Sequence, residues 1–126
     1  MTRHCYDTTV LIDVLRGRPN AARLVRSHAE EERATTVVSV YELSLGATTA
    51  ERQRAALELL ESLRLLGLES DTAWVAGEAM RRLRGEGRAA PLRDLLVATI
   101  ARAGGCRLYT SDRRFPALEG LDLRVV

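Results

Sequence analysis

Short runs of strand character alternate with helical stretches along this chain, and that alternation limits its possible folds more than any other feature. Residues 3–6 read as a strand ending at Asp7. A helix capped by Thr8 or Thr9 follows, with Val10, Leu11, Val14 and Leu15 facing inward; Gly17 and Pro19 stop it. Asn20 opens a second helix that runs to about Glu32 and turns Ala21, Leu24, Val25 and His28 to its apolar side. The β-branched run Thr35–Val38 predicts a second strand. Ser39 then stands as an N-cap with Glu42 three residues on, the spacing of a capping box, and this helix reaches Gly46. Glu51–Leu65 predicts an amphipathic helix on Ala56, Leu59, Leu60 and Leu63, with a short strand at Leu66–Glu69. A helix from Asp71 or Thr72 carries Val75, Ala76, Ala79, Met80 and Leu83 and ends at Gly85 and Gly87. Pro91 opens the next, which is apolar almost all round through Leu95, Leu96, Val97, Ala98, Ile100 and Ala101, and so is buried on most faces. Gly104-Gly105 ends it, and strands at Arg107–Thr110 and Leu123–Val126 close the chain. Strands separated by helices imply one parallel sheet with helices on both faces, and 126 residues suit a single domain.

Parallel sheets bind ligands at the carboxyl ends of their strands. Four acids fall there. Asp7 ends the first strand, Glu42 follows the second, Asp112 follows the fourth, and Asp94 heads the apolar helix that feeds the fourth. Each has an ordinary alternative: Asp7 and Glu42 as helix caps, Asp94 as a first-turn acid suited to the helix dipole, Asp112 as a turn residue. Together they would repel one another unless a cation lay among them, and oxygen-only ligands select hard ions such as Mg2+ or Mn2+. Such an ion activates water and stabilises charge on a phosphoryl oxygen, which makes phosphodiester hydrolysis the natural chemistry. Asp13, almost two turns into the first helix, reads as a polar support or an arginine's partner.

The 19 basic residues are all arginine, so any mechanism needing an active-site lysine is excluded. That removes a response-regulator receiver domain and a haloacid-dehalogenase-type phosphatase, two other uses of acids at strand ends. The net charge of +2 is too small to argue for nucleic acid unaided. Gly85-Glu86-Gly87 follows a helix and not a strand, which is the wrong context for a dinucleotide site. Two cysteines and two histidines are too few and too poorly spaced for zinc. The opening residues do not read as a secretion signal, and Leu95–Ala101 is too short to span a bilayer, so the expected location is the cytoplasm, with no membrane association.

Tyr6-Asp7-Thr8-Thr9-Val10-Leu11-Ile12-Asp13 resembles the opening of PIN-domain proteins, especially VapC-type toxins. Ser39-Val40-Tyr41-Glu42-Leu43, Asp94-Leu95-Leu96-Val97-Ala98-Thr99-Ile100-Ala101 and Leu108-Tyr109-Thr110-Ser111-Asp112-Arg113-Arg114-Phe115 are similar to the later motifs of that family, in order, over the whole chain. The resemblance implies one three-layer α/β/α domain over residues 1–126, with a parallel sheet of four to five strands in the order 3-2-1-4-5. It implies a Mg2+- or Mn2+-dependent endoribonuclease, the toxin of a toxin–antitoxin pair, held inactive by a cognate antitoxin and usually a homodimer. Asp7, Glu42, Asp94 and Asp112 take the places of the metal-binding acids, with Thr110 and Thr8 as supporting hydroxyls. Thr9 replaces a common asparagine, which puts one supporting hydrogen bond in doubt. Arg113, Arg114, Arg93, Arg16 and Arg18 are candidates for RNA phosphate contacts. The Glu51–Leu65 helix and Tyr41–Leu45 are candidate dimer or antitoxin surfaces. The other reading is a binding module of the same fold with little nuclease activity. The implied strand order also puts Cys5 and Cys106 four residues out of register on neighbouring strands, too far apart for a disulfide.

Overall fold

The computed structural model describes residues 1–126. Five strands, β1 (Arg3–Tyr6), β2 (Glu32–Thr36), β3 (Arg64–Leu66), β4 (Cys106–Thr110) and β5 (Asp122–Val125), form one sheet in the order β3-β2-β1-β4-β5. Every pairing is parallel. The six helices are α1 (Thr8–Leu15), α2 (Pro19–Ser27), α3 (Val37–Gly46), α4 (Ala50–Glu61), α5 (Ser70–Gly85) and α6 (Leu92–Ala103). The expected three-layer α/β/α architecture and strand order are those observed.

The layers follow from the two-residue period of the strands. Tyr6 and Tyr109 point to one face, where they pack with Val10, Leu11, Val25, Leu43, Ala56, Leu60 and Leu63 from the α1–α4 side. Cys5, Cys106 and Leu108 point to the other and meet Val97, Ala98 and Ala101 of α6. Residues 97–101 are all buried, as an all-round apolar helix requires, with α6 covering the sheet and α5 packed against it. Gly105, at φ 67°, takes the left-handed conformation that releases the chain from α6 into β4.

Several boundaries differ from the sequence reading, and the sheet explains them. β2 begins at Glu32, not Thr35, because Glu32, Arg33 and Ala34 pair with Arg3, His4 and Cys5. α2 accordingly ends at Ser27, short of Glu32. β1 ends at Tyr6, so the chain beyond Thr36 has no ladder to join, and Val37 and Val38 enter α3 despite their β-branching. Thr36, not Ser39, is the N-cap, its hydroxyl accepting from the Ser39 N–H at 3.3 Å. The capping box with Glu42 is therefore absent. α1 is likewise capped in position by Asp7, not by Thr8 or Thr9. α4 stops at Glu61, and β3 lies at Arg64–Leu66 instead of 66–69, where Arg64, Leu65 and Leu66 align with Ala34, Thr35 and Thr36. α5 starts at Ser70 behind Glu69, and Val75 on it is exposed.

Cys5 and Cys106 are free and buried. Their offset is two residues, not four, since Cys5 aligns with Leu108 and Arg3 with Cys106. Two residues of rise and one strand spacing still put the Cα atoms roughly 8 Å apart, beyond disulfide reach.

A polar cluster that sequence periodicity does not reveal lies on the α2 side of the sheet. The His4 and His28 rings stack at 3.6 Å. His4 Nδ1 is 2.8 Å from the Tyr109 hydroxyl, and His28 Nδ1 is 2.7 Å from that of Tyr6. Burial, and next the His4 charge, lower the His28 pKa from its ordinary 6.5. As pH falls through 6.5 the unfolded chain takes up this proton first, so stability declines until the folded pKa is passed. The thermal midpoint should fall between pH 7 and pH 5, and His28→Gln should flatten that slope. An identical slope in the two proteins would exclude His28 as its cause.

Candidate active site at the carboxyl edge of the sheet

Asp7 follows the last residue of β1, and its N–H still pairs with the Tyr109 carbonyl at 2.8 Å. Its own carbonyl accepts from Val10 and Leu11 and so starts α1, but its carboxylate makes no capping bond. The carboxylate turns instead into the space between the strand ends and is fully buried. One oxygen is fixed from two sides. Thr110 Oγ1 donates to Oδ2 at 2.9 Å, and Thr9 Oγ1 lies 3.1 Å from the same atom. Both hydroxyls are held by the turn after β4: Ser111 N–H donates to Thr9 Oγ1 at 2.9 Å, and Asp112 N–H to Thr110 Oγ1 at 3.1 Å. Thr9, which stands where an asparagine is common, thus reaches Asp7 with its hydroxyl. The other oxygen, Oδ1, is buried with no hydrogen-bond partner. A buried carboxylate oxygen left without a hydrogen bond costs free energy.

Asp94 stands in the first turn of α6 and is 4% exposed. Burial raises its pKa; Arg93 opposes that rise, and the charges of Asp7, Asp112 and Glu42 add to it. The acids of the other three motifs thus all act on Asp94. Glu42 lies in the second turn of α3. Thr8 Oγ1 donates to its Oε1 at 2.6 Å and is 2.9 Å from the buried hydroxyl of Ser39. Ser39, expected as a cap, supports this site; its complete burial is the property that a cap assignment from spacing cannot reveal. Asp112 is partly a turn residue, as its local sequence suggested, since its Oδ1 accepts from the Arg114 N–H at 2.9 Å.

Arg93 lies among the acids instead of facing outward. Its Nε donates to Glu42, its Nη1 to Asp94, and its Nη2 is 3.7 Å from Asp7 Oδ1. Burial works to lower its pKa, but the Glu42 hydrogen bond and the charges of Asp7, Glu42 and Asp94 raise it on balance. No three carboxylates here surround a common point as metal ligands would. The adjacency of Arg93 and Asp94 was visible in sequence; which way the guanidinium turns was not.

The other arginines are dispersed. Arg113 and Arg114 are exposed beside Asp112. Arg16 lies at the far end of α1, in a groove with Leu43, Ala47 and Arg52. Arg18 pairs with Asp13 at 3.2 Å, the arginine partnership expected for that acid. Asp13 also accepts from Ser111 Oγ at 3.3 Å.

The PIN domain family model matches residues 5–121. Ribonuclease VapC19 of Mycobacterium tuberculosis is 35% identical over 120 residues, covering 91% of this chain and 94% of that protein. Among solved structures, VapBC2 of Rickettsia felis bound to a promoter DNA fragment superposes with a TM-score of 0.90 at 18% identity, over 99% of each chain. VapBC-5 of Mycobacterium tuberculosis, described as a member of the VapBC toxin–antitoxin family, does so with a TM-score of 0.66 at 26% identity, over 100% of this chain and 98% of the other.

Proposed function

We propose, since the chain belongs to the PIN-domain family, that it is an endoribonuclease dependent on a divalent cation and the toxin of a toxin–antitoxin pair. The observation that carries this reading is the bare, buried Oδ1 of Asp7, set at the carboxyl edge of the sheet among Asp94, Glu42 and Asp112. The donor set is carboxylate oxygen, with hydroxyls behind it and no sulfur or imidazole. That set fits Mg2+ or Mn2+ and not zinc. Asp7 and Asp94 would be the principal ligands, with Asp112 and Glu42 completing the set directly or through water. Bound there, the ion would supply water activation and neutralise charge developing on the phosphate.

The chain's own residues do the rest. Thr110 and Thr9 lock the Asp7 carboxylate in one orientation, so that Oδ1 faces the site without rotamer loss on binding. Thr8 and Ser39 do the same for Glu42. Arg113 and Arg114 are free to meet the flanking RNA phosphates, and Arg16 is placed for a more distant contact.

VapBC-5 of Mycobacterium tuberculosis is described as a member of a family of toxin–antitoxin systems, which supports an antitoxin as this chain's partner. Tyr41 and Leu45 on α3 and Leu57 on α4 expose 62–67% of their surface, and we assign antitoxin or homodimer contacts to them. No helix of the chain is long and apolar enough to cross a membrane.

The test is cleavage of structured RNAs by the purified chain. Activity should appear with Mg2+ or Mn2+, vanish with EDTA and return when the ion is restored. Cleavage that EDTA leaves untouched would reject the metal reading. An absence of cleavage under every metal condition, with antitoxin binding intact, would instead identify a PIN-fold binding module.

A further inference from the structure

Asp7, Asp94 and Glu42 already share one cation, and it belongs to the chain itself. Arg93 turns three of its nitrogens toward three carboxylates, one just beyond β1 and the others on α3 and α6. We propose that Arg93 is the built-in counter-ion of the metal-free acid cluster, and that a divalent cation takes its place there only by expelling the guanidinium. This rests on the reading of the acids as a metal site.

Four observations support the exchange. First, the positions compete. Asp7 Oδ1 and Arg93 Nη2 are 3.7 Å apart. An ion bonded to that oxygen at about 2.1 Å leaves no room for a second cation on the same line. Second, the service Arg93 gives Asp7 is incomplete. At 3.7 Å it contributes charge but no hydrogen bond, and Oδ1 keeps its lone pairs unpaired. A metal–oxygen bond would supply what the guanidinium does not. Third, the side chain can leave. Arg93 is 35% exposed whereas Asp7 and Asp94 are buried, so it enters the cluster from the solvent side. Fourth, no three of the acids surround a single point in this arrangement, so binding an ion requires side chains of the cluster to move. The planar, multidentate guanidinium suits the bridging role, because a point charge such as an ammonium could not face three separate carboxylates at once.

The competition is measured by titrating Mn2+ into the full chain by calorimetry. Wild type is compared with Arg93→Gln and Arg93→Lys, and each is melted with EDTA and with excess Mn2+. Freed of a competitor that makes two charge-assisted hydrogen bonds, Arg93→Gln should bind Mn2+ roughly ten- to hundredfold more tightly. Its metal-free thermal midpoint should fall, because nothing then offsets the carboxylates, and Mn2+ should restore it. Arg93→Lys should lie between, keeping the charge but losing the fork. Affinity in folded Arg93→Gln equal to or weaker than wild type would overturn the proposal and leave the metal site standing. No Mn2+ binding in any of the three proteins would overturn both. Should Arg93→Gln fail to fold, the wild-type Arg93 Nε–H resonance decides: its hydrogen exchange should quicken on adding Mg2+, and an unchanged rate would count against displacement.

Discussion

Asp7→Asn should lose RNA cleavage on the order of a thousandfold or more, yet melt no lower than the wild-type protein. Both halves follow from the geometry. Asparagine has the shape of aspartate and keeps one carbonyl oxygen, enough to accept the hydrogen bonds that Thr110 and Thr9 give Oδ2. Its amide then occupies the place of Oδ1, where two N–H groups replace a bare lone pair. The charge and the ligand atom are lost together, while the fold keeps every contact that Oδ2 made. Stability should hold because removing the Asp7 charge relieves repulsion with Asp94, whose carboxyl is pushed up in part by Asp7, and this offsets the lost attraction of Arg93 at 3.7 Å. A residue that costs activity and not stability is the mark of a site held against folding preference. Single-turnover cleavage and thermal melts on the same preparations check this. Activity within about tenfold of wild type would remove Asp7 from the chemistry, and a collapsed melting transition would show that its role is structural.

Leu108→Ala should be the most damaging single change among the apolar positions. Leu108 is fully buried on β4, a central strand with β1 and β5 on either side, and it packs among Cys5, Val97, Ala98 and Phe115 between sheet and α6. Strand pairing on both sides stops the backbone from collapsing into the space left by the lost methyl groups. The cost should therefore lie toward the upper part of the range for buried leucine truncations, about 3–5 kcal/mol. A domain of this size has a total of roughly 5–15 kcal/mol. In urea the midpoint should fall with the slope unchanged, since the surface exposed on unfolding hardly alters. A loss below about 1 kcal/mol would mean that the α6 layer repacks freely.

The reading of the fold from sequence succeeded where periodicity and sheet rules act together. The parallel sheet, the buried α6 and the positions of Asp7 and Asp112 just beyond β1 and β4 were all legible. It failed at boundaries that pairing decides. Val37 and Val38 look like strand and are helix, because β1 has ended and offers no partner. Ser39 looks like a cap, but Thr36 fills that place, and Ser39 lies buried 2.9 Å from Thr8, behind Glu42.

By itself the sequence determined which residue types could meet and at which end of the sheet. Strand alternation places Asp7 and Asp112 at carboxyl ends, and the absence of lysine limits what acids there can do. Only the tertiary structure decided how those acids are paired. Asp7 presents one oxygen to two threonines and leaves the other bare, and Arg93 turns in among three carboxylates instead of out to solvent. The physical reason is range. Periodicity and capping arise between residues a few positions apart, and the chain itself specifies them. The direction of a long cationic side chain is set by charges brought close by folding, from positions 7, 42 and 94, and no local pattern contains that sum.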